Sequence, residues 1–152
     1  MLVRGDVDFT AAWVMTAVPG LLKLEVKKED INVMMLHDYG LDLYANVVFM
    51  TPAFAKAHPD AVRGFVKATI QSWLEAAADP DASIAALKKA DSMSDPAQEI
   101  GRLKSALEFV VTPRVRSNGF GDVDMDRLKK HIDLVSTGFE LPRQATPDQT
   151  RR

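Results

Sequence analysis

The chain has 152 residues, 47% hydrophobic and 26% charged, which is ordinary for a domain able to bury a core of its own. Nineteen basic and twenty-one acidic side chains give a formal charge of −2 with the basic residues dispersed, so nucleic acid is not an expected partner. The absence of cysteine excludes disulfides, thiolate nucleophiles and cysteine-held zinc or iron–sulfur centres, without fixing the compartment.

Residues 9–22 (FTAAWVMTAVPGLL) form an apolar run behind a lone Arg4. Asp6 and Asp8 put acid where an export signal needs a positive region, Pro19-Gly20 interrupts the run, and the stretch is too short to span a bilayer. As it stands the sequence is read as carrying neither signal peptide nor anchor, and such a chain would stay in the cytoplasm.

In chain order, residues 6–13 (DVDFTAAW) read as a strand, and residues 14–24 as a helix or turn region disturbed by Pro19-Gly20. Lys27, Lys28, Glu29 and Asp30 make a solvated loop. Residues 31–36 (INVMML) read as a short buried strand, and residues 42–50 (DLYANVVFM), rich in aromatic and β-branched side chains, as a third.

The pattern then turns helical. Thr51-Pro52 is a cap followed by a first-turn proline, and Pro59 opens a second helix with Val62, Phe65, Val66, Thr69, Ile70 and Trp73 on one face expected to be buried. Asp79-Pro80 begins a third helix running to Ala90. Asp95-Pro96-Ala97-Gln98 begins a fourth, with Ile100, Leu103, Leu107 and Val110 inward, and a fifth follows Asp124 with Leu128, Ile132 and Val135. Residues 142–152 read as a polar tail. A few strands followed by several helices predict an α/β chain, and three strands apolar on both faces need neighbours, so the chain reads as part of a larger α/β protein.

Three stretches in order, residues 2–13 (LVRGDVDFTAAW), residues 31–87 (from INVMMLHDYGLDLYANVVFM to SIAAL) and residues 118–135 (NGFGDVDMDRLKKHIDLV), resemble the second half of the NMT1/THI5-like solute-binding proteins. The resemblance implies the substrate-binding component of an ABC importer for a thiamine-pyrimidine precursor, nitrate, sulfonate or taurine. Its fold would be that of a type 2 periplasmic binding protein, with two α/β lobes around a cleft. Residues 1–36 would finish one lobe, residues 37–43 would cross between lobes, and residues 44–141 would supply the helix-rich part of the other. A full-length member would work in the periplasm beside an ABC permease and need no cofactor. A protein-interaction module of the same fold, binding no solute, is the alternative. In either case, incomplete strand pairing predicts self-association through the exposed lobe surface.

By the same resemblance the turn at Asp38-Tyr39-Gly40 would face the cleft. Asp38 would accept from an amino group of the solute, Tyr39 would offer its ring or hydroxyl, and Gly40 would be the hinge and a positive-φ turn residue. Trp13 has two readings, core or a stack on a flat ligand. Tyr44 and Asn46, two apart, would share one face of a strand, with Tyr44 retained as a ligand contact. His37, His58 and His131 lack metal-binding spacing, and His37 and Asp38 would point to opposite sides if the segment is extended. No nucleophile elbow, phosphate-cradling glycine loop or catalytic carboxylate pair is present, and the chain is read as a non-enzyme without a metal site. The family name also covers yeast pyrimidine-precursor synthases, whose cysteine-rich signature this chain cannot match.

Overall fold

The computed structural model describes residues 1–143 and 145–150; Gln144, Arg151 and Arg152 of the expected polar tail lie outside them. Eight α-helices run in chain order among the described residues: α1 Val14–Lys23, α2 Pro52–Ala57, α3 Pro59–Ala78, α4 Pro80–Ala90, α5 Pro96–Val110, α6 Pro113–Asn118, α7 Met125–Gly138 and α8 Pro147–Thr150, with short 3-10 turns at Leu2–Arg4, Lys28–Asp30 and Leu36–Tyr39.

Proline writes most of these starts. Six of the eight prolines stand at the first residue of a helix, where the missing N–H costs nothing and the fixed φ suits the first turn. The preceding side chain often completes the cap. Asp79 accepts from Ala82 N–H at 2.9 Å, Asp95 from Ala97 N–H at 3.1 Å, Thr51 from Phe54 N–H at 3.2 Å and Thr112 from Val115 N–H at 3.3 Å. Thr112-Pro113 is the same signal as Thr51-Pro52, and reading it alike would have revealed α6. Pro19, by contrast, sits inside α1 without ending it.

The α/β expectation fails. No described residue lies in a β-strand: residues 6–13, 31–35 and 42–50 run as irregular chain, and Leu36, the last residue of the expected strand 31–36, opens the 3-10 turn Leu36–Tyr39. A strand exists by exchanging N–H and C=O with a neighbour, and β-branched composition alone supplies none. Among the described residues none of the three segments pairs with a second backbone as a strand, so the type 2 periplasmic-binding-protein fold with its lobe sheets is not what the chain adopts here. The shared strand face drawn for Tyr44 and Asn46 goes with it.

The chain divides into two compact units: residues 1–33 with 58–120, and residues 34–57 with 121–152. In the first, α3 packs on α4, α4 on α5, and α1 on α5. Ala76 of α3 and Ile84 of α4 are its buried apolar side chains, each 8% exposed. Lys23 at the end of α1 ties to the start of α5, donating to Gln98 Oε1 at 3.3 Å and pairing with Asp95 at 3.6 Å. The link from α4 to α5 is closed by Lys88, whose ammonium donates to the carbonyls of Ser92 at 2.5 Å and Ser94 at 2.8 Å. In the second unit α7 packs on α8, and no described side chain is buried.

The buried face expected on α3 is only partly covered. Val62, Thr69, Ile70 and Trp73 are half-buried, whereas Phe65 is 58% exposed. Apolar periodicity identifies a face that can be buried; α4 covers one side of it and nothing in the unit covers Phe65.

Candidate functional site

The turn singled out in the sequence is formed by local hydrogen bonds. Asp38 N–H donates to Met35 C=O at 3.0 Å, Gly40 N–H to His37 C=O at 3.2 Å, and Leu41 N–H closes back on Leu36 C=O at 3.1 Å. Gly40 stands at φ 88°, ψ 0°, a left-handed position that strains any residue bearing a Cβ. Because the segment is turned and not extended, His37 and Asp38 do not diverge: His37 Nε2 lies 3.0 Å from Asp38 Oδ1. The Asp38 carboxylate and the Tyr39 ring are both presented to solvent, with Tyr39 65% exposed.

Two residues past Gly40 the chain is gripped by α7. Arg127 pairs with the Asp42 carboxylate at 2.8 Å, donates through Nη2 to Leu43 C=O at 2.8 Å and through Nε to Asp42 C=O at 3.3 Å. Its guanidinium lies 4.3 Å from the centre of the Tyr44 ring. The Tyr44 hydroxyl in turn accepts from Asp124 N–H at 2.8 Å. Asp124 caps α7, its carboxylate accepting from the N–H groups of Asp126 and Arg127 at 3.0 Å each. Arg127 is therefore aimed by the first turn of its own helix, and its planar fork fixes three consecutive residues, 42 to 44.

Of the candidate residues, Asp38, Tyr39 and Gly40 form one turn, and Tyr44 lies in the adjoining clamp, engaged through both its ring and its hydroxyl. Trp13 belongs to the other unit. It precedes α1, its carbonyl accepts from Thr16 and Ala17 N–H at 3.0 and 2.9 Å, and its side chain is 55% exposed, so it is not core. Asp124 and Arg127 were missed as partners of this region. They lie eighty or more residues beyond it, and no local pattern links them.

Among the described residues no group of three or more histidine, aspartate or glutamate side chains is placed to hold a metal ion. No helix among them is long and apolar enough to cross a membrane. The Asp91 carboxyl sits below its usual range because Met93 N–H and the Ser94 hydroxyl donate to it, each at 2.9 Å, with Lys88 nearby.

Comparison with known proteins gives one match. Residues 1–83, more than half of the chain, match the model of the family described as NMT1/THI5 like. That stretch contains Trp13, the Asp38–Gly40 turn and Tyr44, while Asp124 and Arg127 lie beyond it. No curated protein and no solved structure matches the chain.

Proposed function

The chain belongs to the NMT1/THI5-like family, and from that membership we propose that it is the solute-capturing component of an ABC importer, handing a small solute to a membrane permease in the periplasm. The observation that carries the reading is the Asp38–Tyr39 turn: a carboxylate and an aromatic ring, adjacent, exposed, and held on a hydrogen-bonded turn within the family-matched stretch. Neither side chain is needed to build a core: the Tyr39 ring is open to a ligand, and the Asp38 carboxylate, which His37 Nε2 approaches at 3.0 Å through Oδ1, is exposed beside it. Asp38 accepts from an amino group and Tyr39 stacks on a flat ring or bonds through its hydroxyl.

This chemistry narrows the solute class. A carboxylate repels nitrate and sulfonate, whereas an amino-substituted heteroaromatic ring satisfies Asp38 and Tyr39 together, so the thiamine-pyrimidine precursor class is favoured over the anionic ones. Tyr44 contributes through the clamp with Arg127 that steadies the turn, and Gly40, whose backbone tolerates what other residues do not, is the point at which the turn pivots. The activity is capture without bond chemistry.

Calorimetric titration with a panel of aminopyrimidines tests the reading. Asp38→Ala and Tyr39→Ala are each expected to weaken binding by about tenfold, the loss of one good polar or stacking contact, with little change in melting temperature. Unchanged affinity in both variants, or no binding by the unaltered protein to any member of the panel, overturns it.

A further inference from the structure

Asn118 closes α6 and Gly119 follows it, the one Asn-Gly pair in the chain. Both residues are exposed, and Gly119 leaves the helix at φ 89°, ψ 167° with no Cβ to shield its backbone nitrogen. This is the most reactive setting for an asparagine. The backbone nitrogen of the following residue reaches the side-chain carbonyl carbon and closes a five-membered ring, an approach that any Cβ on that residue obstructs.

A helix prevents the closure, because it holds the nitrogen away from the side chain and gives its proton to the carbonyl four residues back. Here that restraint is one hydrogen bond, from Gly119 N–H to Val115 C=O at 2.9 Å. The helix that makes it has six residues, too few to persist on backbone bonds alone. Of the six, Val115 is half-buried and the rest are exposed, and α6 lies outside the packing that joins α1, α3, α4 and α5. Its start is held by Thr112, whose hydroxyl accepts from Val115 N–H at 3.3 Å. Near its end the Ser117 hydroxyl turns back onto the carbonyls of Pro113 and Arg114 at 3.1 Å each, bonds that stay within the helix.

We propose that Asn118-Gly119 is a self-modification site, at which asparagine becomes aspartate and isoaspartate without an enzyme, and that opening of α6 sets the rate. When the last turn opens, the Gly119 nitrogen, its proton passed to a solvent base, bonds to Cγ of Asn118; the Cγ–Nδ2 bond breaks and that nitrogen leaves as ammonia. Water then adds to either carbonyl of the succinimide. Opening at one restores the backbone with an aspartate side chain, and opening at the other runs the chain through Cβ and Cγ. Loss of ammonia makes the change one-way. Either product puts a carboxylate at the C-terminal end of α6, where the helix carbonyls point, so the modified helix is weaker than the original. The site is independent of solute capture, and its test involves no solute.

Ageing the folded protein in mildly alkaline buffer and mapping the tryptic peptide 117–127 by mass spectrometry decides the matter. A one-dalton gain at Asn118 is expected, in two chromatographically separable products of which one is a substrate for an isoaspartyl methyltransferase, and the same gain should be faster in urea. Thr112→Ala removes the cap and should raise the folded-state rate about fivefold, with the urea rate as its ceiling. Thr112→Ser keeps the cap and should keep the parent rate. Asn118→Gln, which would need a larger ring, should abolish the gain in this peptide. No gain at Asn118 in the folded protein, a gain without isoaspartate, a gain that survives Asn118→Gln, or a rate that Thr112→Ala leaves unchanged each overturns the proposal.

Discussion

The two units are held together by different physics. In the first, neighbouring helices with self-contained caps pack in sequence, α3 on α4 on α5, and their apolar faces meet at Ala76 and Ile84. In the second, nothing is buried among the described residues, and the connection between residues 34–57 and α7 passes through a few polar groups converging on Arg127. One unit spreads its stability over many small contacts and caps, whereas the other concentrates it in one side chain. The family-matched turn lies in the second, so the most exposed candidate chemistry stands on the least buried support.

That contrast breaks most directly at Ile84. Truncation to alanine leaves a cavity between α4 and its neighbours and is expected to cost about 3 kcal/mol in thermal or urea unfolding, because Ile84 is 8% exposed. Hydrogen exchange should rise across α3, α4 and α5 and spare α7.

Arg127→Ala should show the reverse pattern. It removes donors to two carbonyls, an ion pair and the stack on Tyr44, leaving the guanidinium's partners to water. A loss of about 2 kcal/mol is expected for a charged hydrogen-bonding group at a partly exposed site, with exchange protection lost in residues 41–44 and at the start of α7. Arg127→Lys, which keeps the charge without the fork, should recover only part of it.

Phe65→Ala sharpens the comparison from the other side. Periodicity alone places Phe65 on the core face, where truncation costs about 3–5 kcal/mol. At 58% exposure the expected cost in the monomer is under about 1 kcal/mol, read as a small shift in melting temperature.

The smallest effect is Asp91→Asn. The carboxyl of Asp91 is lowered by Met93 N–H and Ser94 in the folded chain, so its contribution is complete above the ordinary aspartate value and is lost as pH falls through the lowered one. The variant should therefore melt slightly below the parent near neutral pH, converge on it in acid and show a flatter acid limb. An unchanged acid limb would mean that the α4–α5 loop does not hold Asp91 in solution.

Local chemistry was legible wherever it was self-sufficient. Thr51-Pro52, Asp79-Pro80 and Asp95-Pro96 mark helix starts because a cap and a first-turn proline act within four residues, and Gly40 reads as a positive-φ position for the same reason. The turn around Asp38 and Tyr39 was visible too, as was its likeness to a family whose model matches residues 1–83. The misreadings came where a residue's state depends on distant groups. Val47, Val48 and Phe49 have the composition of a strand, but a strand is a relation between two backbones, and among the described residues no second backbone pairs with them. Phe65 has the spacing of a core residue, yet burial depends on a covering surface that α4 does not extend far enough to provide. Tyr44 was weighed by its neighbours in sequence, while its ring and hydroxyl are engaged by Arg127 and Asp124 from eighty residues away. Sequence by itself determined where helices begin, which glycine carries a left-handed turn and which family the chain resembles, because those depend on torsions and hydrogen bonds only a few residues apart. Tertiary structure alone decided which apolar faces are covered, which segments find a backbone partner and which arginine anchors the turn, because each is a meeting of groups whose separation along the chain carries no local signal.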